Sequence, residues 1–148
     1  MSKFPDIPPV WLTGFIALSW FLARLAPAGF SYGLPRALGW GLMAVGLLLI
    51  VWSAIWFWRR KTTIEPHHAP TALIVEGPYR LSRNPIYLGM ALILSGVIVW
   101  MGQAAGFILI PIFVTVINRR FVIPEEAMLR KVFGTSAEAY LQATRRWI

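Results

Sequence analysis

The sequence predicts an all-α integral membrane protein of about four transmembrane segments, the last two forming a helical hairpin, with its charged pieces gathered on the cytoplasmic side. Three observations carry this. Of 148 residues, 57% are hydrophobic and 14% charged, and the mean hydropathy is +0.63, more apolar than a soluble domain of this size. Long charge-free runs recur along the chain. The lysines and arginines, which give a formal net charge of +8, stand at the ends of those runs rather than along one polar face. That placement suits topology signals and not a nucleic-acid-binding surface.

A bilayer core about 30 Å thick needs about 20 apolar residues per spanning helix. The first run extends from Val10 to Ala26, with Arg24 near enough to its end to snorkel. Ala26-Pro27-Ala28 resembles a signal-peptide cleavage site, but Arg24 interrupts the approach to it and Asp6 offsets Lys3, so the run is read as a retained span. The second run, Leu38 to Trp58, is stopped by Arg59, Arg60 and Lys61, and Trp52, Trp56 and Trp58 fit an interfacial aromatic belt. A Pro/Gly segment from Pro27 to Pro35 joins the two.

The third stretch, Ile86 to Ile117, carries no charge and would reach about 48 Å as one helix, too long for an upright span. It is therefore expected to fold back at Gly102 and Gln103 into two arms, each a little short for a full crossing. Pro85 suits the first helical turn, where its missing N–H costs nothing, and Pro111 is expected to kink the second arm. The resulting plan is one membrane domain over 1–148, with spans at 10–26 and 38–58, a loop at 59–84, the hairpin at 85–118 and a helical tail at 119–148. In the tail, Met128, Leu129, Val132 and Phe133 share one side of a helix that Gly134 ends, and a second short helix holds Tyr140 and Leu141.

With a cytoplasmic N-terminus, Lys3, Arg59 to Lys61, Arg80, Arg83, Arg119, Arg120, Arg130, Lys131, Arg145 and Arg146 all fall inside, leaving Arg24 and Arg36 outside. The positive-inside rule selects that orientation, so both termini are expected in the cytoplasm and the protein in a bacterial inner membrane. Short hairpin arms also favour helix pairing between copies, hence a homo-oligomer.

Chemistry concentrates in two places. Gly77-Pro78-Tyr79-Arg80-Leu81-Ser82-Arg83-Asn84-Pro85-Ile86-Tyr87 puts arginines, an amide and phenols at the mouth of the hairpin, a set that can grip a charged, ring-bearing ligand or simply anchor the chain at the interface. Gly77-Pro78 forces a turn, Asn84 before Pro85 is expected extended, and Tyr87 is expected to point back toward the loop. The second place is Glu125-Glu126, in a chain with six acidic residues. Adjacent carboxylates lie about 100° apart on a helix, so one is expected to face a ligand and the other to pair with Arg130; alternatively both complement the helix dipole. With no cysteine, thiol nucleophiles and Cys-based metal sites are excluded, and the neighbouring His67-His68 lacks the spacing of a helical metal site, so no metal is expected.

At these residues the sequence resembles the isoprenylcysteine carboxyl methyltransferase family, which is itself similar to the phospholipid N-methyltransferases. Thr71 to Arg80 with Arg83-Asn84-Pro85-Ile86-Tyr87-Leu88-Gly89 is similar to the family's T-x-L-V-x-x-G-x-Y-R and R-H-P-x-Y-x-G stretches. Glu125-Glu126-Ala127-Met128-Leu129, Phe133-Gly134, Tyr140 and Arg145-Arg146 are similar to its E-E-x-x-L-x-x-x-F-G-x-x-Y-x-x-Y tail. The match covers about half the chain, in the family's order, with an apolar hairpin between.

The resemblance implies a membrane enzyme that binds S-adenosylmethionine between the loop and the C-terminal helices and methylates a lipidic, prenylated or small hydrophobic acceptor arriving through the membrane lipids. By position it implies that Thr71, Ala72, Leu73, Ile74, Tyr79, Asn84, Pro85, Ile86 and Tyr87 hold the cofactor. It further implies that Glu125 and an upstream arginine, here Arg120, are catalytic and face the acceptor together with Glu126. Asn84 stands where the family has His, which keeps a hydrogen-bonding role and removes proton transfer. Phe121 occupies the neighbourhood of the expected arginine, with Arg120 nearest, and Ala143 or Thr144 replaces a tail tyrosine. The competing class is a nonenzymatic four-helix protein, a small transporter or an assembly subunit. Transport favours ionisable groups within the spans, and apart from Arg24 the expected spans have none.

Overall fold

The computed structural model describes residues 6–25, 36–61, 71–102 and 104–148. Lys3, the Pro27–Pro35 segment, His67, His68 and Gln103 lie outside them. Every regular element among the described residues is helical: α1 (Pro8–Leu25), α2 (Arg36–Arg60), α3 (Pro85–Met101), α4 (Leu109–Ile117), α5 (Ile123–Phe133) and α6 (Thr135–Ala143), with a 3₁₀ turn at Gly77–Arg80. The protein is all-α, and α1, α2 and the helix running from Ala104 to Phe133 are long and apolar enough to cross a membrane.

The central helix falls short of the membrane-length helices. At 17 residues α3 spans roughly 25 Å, under a bilayer core. It carries Tyr87, Met90, Ala91, Leu94 and Ile98 into the interior, against Phe113, Ile117, Phe121 and Val122 from the second arm. Along its other side α2 lies antiparallel, with Gly39 facing Gly96 and Gly46 facing Gly89. A methyl group added at Gly46 would come 2.5 Å from the Gly89 carbonyl oxygen, and one at Gly96 would come 2.7 Å from that of Gly39. Seven-residue spacing on both helices keeps these small residues on one line, so the backbones approach as lipid-embedded helices do when packing must replace hydrophobic collapse. Buried Ser53 continues the line and donates to the Leu49 carbonyl at 2.7 Å, so its hydroxyl is satisfied within its own helix. The third contact is made by α1, where Phe15 meets Phe113 edge-on at 5.3 Å.

The hairpin turns where expected: Gly102 caps α3 in the left-handed region (φ 72°), its N–H bonded to Val99 O. The expectation of two short arms holds for the first alone. From Ala104 the second arm runs on for 30 residues through the presumed tail boundary to Phe133, as 3₁₀ (Ala104–Ile108), α4, π (Asn118–Val122) and α5. Pro111 falls in the first turn of α4 and marks the change from 3₁₀ to α instead of a mid-arm kink. The π turn has a local cause. Pro124 has no N–H for the Arg120 carbonyl and its ring crowds that oxygen. The backbone widens, and Ile123 N–H bonds to Asn118 O five residues back.

The start of α1, the 71–84 loop and the C-terminal helices all collect at one end of the bundle, as the ties described below require. Arg24, stacked 4.5 Å over Trp20, and Arg36 mark the other.

Candidate functional site

The loop is fixed from below by α2. Gly77 has φ 59°, and a side chain on it would overlap the indole of Trp56. Pro78 follows, and the 3₁₀ turn it opens buries Tyr79, whose ring meets Phe57 edge-on at 5.7 Å.

From there the chain is tied to the C-terminus residue by residue. Tyr140 Oη donates to Tyr79 O at 2.9 Å. Arg83 N donates to Arg145 O at 2.9 Å, and Arg146 O accepts from Ser82 Oγ at 3.2 Å and Asn84 Nδ2 at 2.9 Å. Asn84 is bent (φ −129°, ψ 57°) and not extended as the following proline suggested, because its N–H also turns to Ser82 Oγ at 3.1 Å. Trp147 Nε1 donates to Asn118 Oδ1 at 3.1 Å, pinning the last residues to the π turn.

Glu126 joins the two pieces by charge. Its buried carboxylate accepts from Arg83 Nη1 at 3.0 Å and from Arg146 Nε and Nη2 at 2.9 and 2.7 Å, the latter a bidentate pair. The expected partner, Arg130, pairs instead with Glu138 at 2.9 Å. Helix α5 continues from the π turn without a free end, so the four-residue neighbour points to solvent while Glu126 faces the loop. Glu125, one residue earlier, turns to α3, where Tyr87 Oη donates to its Oε1 at 2.5 Å. Tyr87 thus reaches across to α5, its ring beside Phe121 at 6.2 Å, and does not point back to the loop.

Between these pieces lies a cavity of about 550 Å³, within the range of small-molecule sites. Its polar wall carries Tyr79, Arg83, Asn84, Tyr87, Glu125, Glu126 and Tyr140. Its apolar wall is built from Ile50, Ala54 and Phe57 of α2, Ile86 and Met90 of α3, and Ile7 to Pro9 at the start of α1. Burial pushes the Tyr79 and Tyr140 phenols well above the ordinary tyrosine range, with the Tyr140 and Glu125 charges adding to the effect at Tyr79 and Arg83 opposing it at Tyr140. Both hydroxyls stay protonated, and that of Tyr140 donates to the Tyr79 carbonyl. The hydrogen bonds to Glu126 hold Arg146 more firmly charged than usual.

Of the residues singled out in the sequence, Ala72, Leu73, Ile74, Tyr79, Asn84, Pro85, Ile86, Tyr87, Glu125 and Glu126 share this cavity. Two do not. Thr71 hydrogen-bonds Lys61 O at 3.3 Å on the exposed surface. Arg120 turns away, pairing with Asp6 at 3.0 Å and lying 5.0 Å over Trp11, because the widened π turn carries it to the α1 side. The cation at the cavity is Arg83, whose Nε is buried with no hydrogen-bond partner among the described residues. Its place in the R-N-P-x-Y motif was the signal for it. Ile50, Ala54 and Phe57 recur at helical spacing with nothing to distinguish them from a lipid-facing stripe.

A family model for phospholipid methyltransferases matches residues 34–136. The chain is also similar to an uncharacterised protein of Haemophilus influenzae, 35% identical over 63 residues that make up 43% of this chain and 100% of that one. No solved structure matches. The family match takes in α2, the loop, the hairpin and α5, and leaves out α1 and nearly all of α6. With most of the chain so matched and with helices able to span a bilayer, this is an integral membrane methyltransferase belonging to the phospholipid methyltransferase family, which embraces isoprenylcysteine carboxyl methyltransferase-like proteins.

Proposed function

We propose that the protein transfers a methyl group from S-adenosylmethionine to a lipidic, prenylated or small hydrophobic acceptor at the cytoplasmic membrane interface. The observation that carries this reading is a single cavity with a polar wall made by the loop and the C-terminal helices and an apolar wall made by the spanning helices. A water-soluble nucleotide and a greasy acceptor can each meet the wall that suits it.

The residues fit the cofactor. Ala72, Leu73, Ile74, Pro85 and Ile86 offer apolar surface to a flat ring, and Tyr79, Asn84 and Tyr87 offer polar contacts. The unpartnered Nε of Arg83 provides an unused donor beside them, suited to the carboxylate of an amino-acid moiety. When bound, the cofactor supplies a sulfonium-activated methyl group. The chain's part is to align the acceptor and exclude water, and it needs no metal for that. Tyr87 fixes the Glu125 carboxylate from one side. Against an amine acceptor Glu125 takes up the proton released; against a carboxylate acceptor no base is needed. Arg120 does not enter this scheme.

Calorimetry on the whole detergent-purified chain with S-adenosylmethionine and S-adenosylhomocysteine tests it. Binding near the micromolar range, about −8 kcal/mol, is expected. Tyr87→Ala should weaken it clearly, whereas Glu125→Gln should retain binding and, with an amine acceptor, lose turnover of labelled methyl donor with membrane extracts. Folded protein that binds neither ligand in any of several lipid mixtures would return the chain to a nonenzymatic role.

A further inference from the structure

A second cavity, of about 490 Å³, lies on the outer side of α1 and is lined by Asp6, Val10, Trp11, Gly14, Phe15, Leu18 and Arg120. It shares no lining residue with the first, yet the opening turn of α1 walls both, since Ile7 to Pro9 face the first cavity while Asp6, Val10 and Trp11 face the second. Val10, Gly14 and Leu18 recur every four residues on one helical face. Phe15, buried against Phe113, forms the floor. Nothing stands within 4 Å of where a Gly14 side chain would begin, so the groove owes its width to that glycine.

The mouth of this apolar groove is charged, and charged in both signs. Arg120 Nη2 and Asp6 Oδ2 are 3.0 Å apart with side chains 50% and 39% exposed. Trp11 braces both, donating from Nε1 to Asp6 Oδ1 at 2.9 Å while its ring lies 5.0 Å from the Arg120 guanidinium. An exposed ion pair of this kind is held by little net energy, so its partners can turn to a ligand without leaving a charge buried. An anionic headgroup drawn to Arg120 would meet Asp6 beside it. A zwitterion satisfies both.

We propose that this cavity is a phospholipid site separate from the methyl-transfer cavity, taking a zwitterionic bilayer lipid with its phosphate on Arg120, its ammonium on Asp6 and the upper part of one acyl chain along Val10, Gly14 and Leu18. The arrangement matches an interface where a tryptophan and an arginine sit at headgroup level and an apolar helix face descends from them. It also gives Arg120 an occupation that the methyl-transfer cavity does not.

The test uses the whole chain purified in detergent, exposed to an equal mixture of phosphatidylethanolamine, phosphatidylcholine and phosphatidylglycerol, with retained lipid counted by native mass spectrometry. Wild type should keep one zwitterionic lipid in about tenfold preference to phosphatidylglycerol. Arg120→Gln should lose that retention about tenfold, and Asp6→Asn should shift the preference toward phosphatidylglycerol. Gly14→Leu, whose Cβ has open space around it, puts a branched side chain into the groove and should expel the lipid while helical circular dichroism and elution volume stay unchanged. Wild type that retains lipids without preference, or prefers the anionic one, overturns the proposal, as does undiminished retention in Gly14→Leu. These last two readings decide the matter even if either charge variant fails to fold. Because the readout is lipid retention and not methyl transfer, its failure would leave the reading of the first cavity standing.

Discussion

The seam between α2 and α3 and the knot between the loop and the C-terminus hold the same molecule together by opposite means. In the seam, Gly39, Gly46, Gly89 and Gly96 bring two backbones together with no charged group, and stability comes from close contact over many weak attractions. In the knot, Ser82, Arg83, Asn84, Glu126, Arg145 and Arg146 contribute little apolar area and many directed bonds. Contact tolerates no added volume but is indifferent to charge and pH. A polar knot tolerates changes of volume and fails when a partner is removed. The rigid seam positions Trp56 and Phe57 under the loop, and the knot closes the cavity above them.

Adding volume to the seam should give the largest effect. Gly46→Val places methyl groups against the Gly89 carbonyl and is expected to destabilise by about 3 kcal/mol or more, or to prevent folding, as read from thermal unfolding in detergent. Gly41→Ala, where the added carbon meets nothing, should be silent; equal effects at both positions would break the contrast.

Next comes removal of the central charge of the knot. Glu126→Gln leaves Arg83 and Arg146 uncompensated and is expected to cost about 2 to 3 kcal/mol, with part of the Arg146 loss relieved by solvent. Limited proteolysis should then release the segment after Phe133 first, while α1 to α3 stay protected. Loss of protection across the whole chain would show that knot and seam unfold as one unit.

A smaller effect is expected from the buried phenol. Tyr140→Phe removes the bond to the Tyr79 carbonyl and should cost about 1 kcal/mol. Its pH signature is more telling. Tyr79 and Tyr140 have folded-state values raised by burial, so the folded form keeps protons that the unfolded form releases from about pH 10 upward. The stability they contribute is complete below that pH and declines as pH rises above it. Melting temperature followed from pH 8 to pH 11 should fall at the alkaline end, less steeply in Tyr140→Phe. The smallest effect belongs to Arg130→Gln, which breaks an exposed pair with Glu138 and should leave the melting temperature unchanged.

Much of the plan was legible because apolar length and charge placement are local properties. Runs of the right length became α1 and α2, and Gly102 turned the hairpin. The cavity residues on the loop and at Glu125 were named by position from the family resemblance, whose motifs crowd phenols, amide and acid into short segments. The end of the second arm was misread because charge after Ile117 suggests departure from the membrane, whereas a helix can leave a bilayer without stopping. Arg120 was taken for the acceptor side as the arginine nearest the family's expected position, and the π turn before Pro124 carries it instead to Asp6 on the α1 side.

Composition and periodicity by themselves determined that this chain is a bundle of membrane-spanning helices with its chemistry at one end, since the solvent demands that apolar segments be long, helical and uncharged. Only the tertiary structure decided that Glu126 binds Arg83 and Arg146, that Glu125 meets Tyr87, and that Arg120 belongs to a separate groove with Asp6. Those pairings join residues from 20 to 114 positions apart. Their distances are set by how α2, α3 and the second arm pack, a three-dimensional outcome that no local pattern of residues encodes.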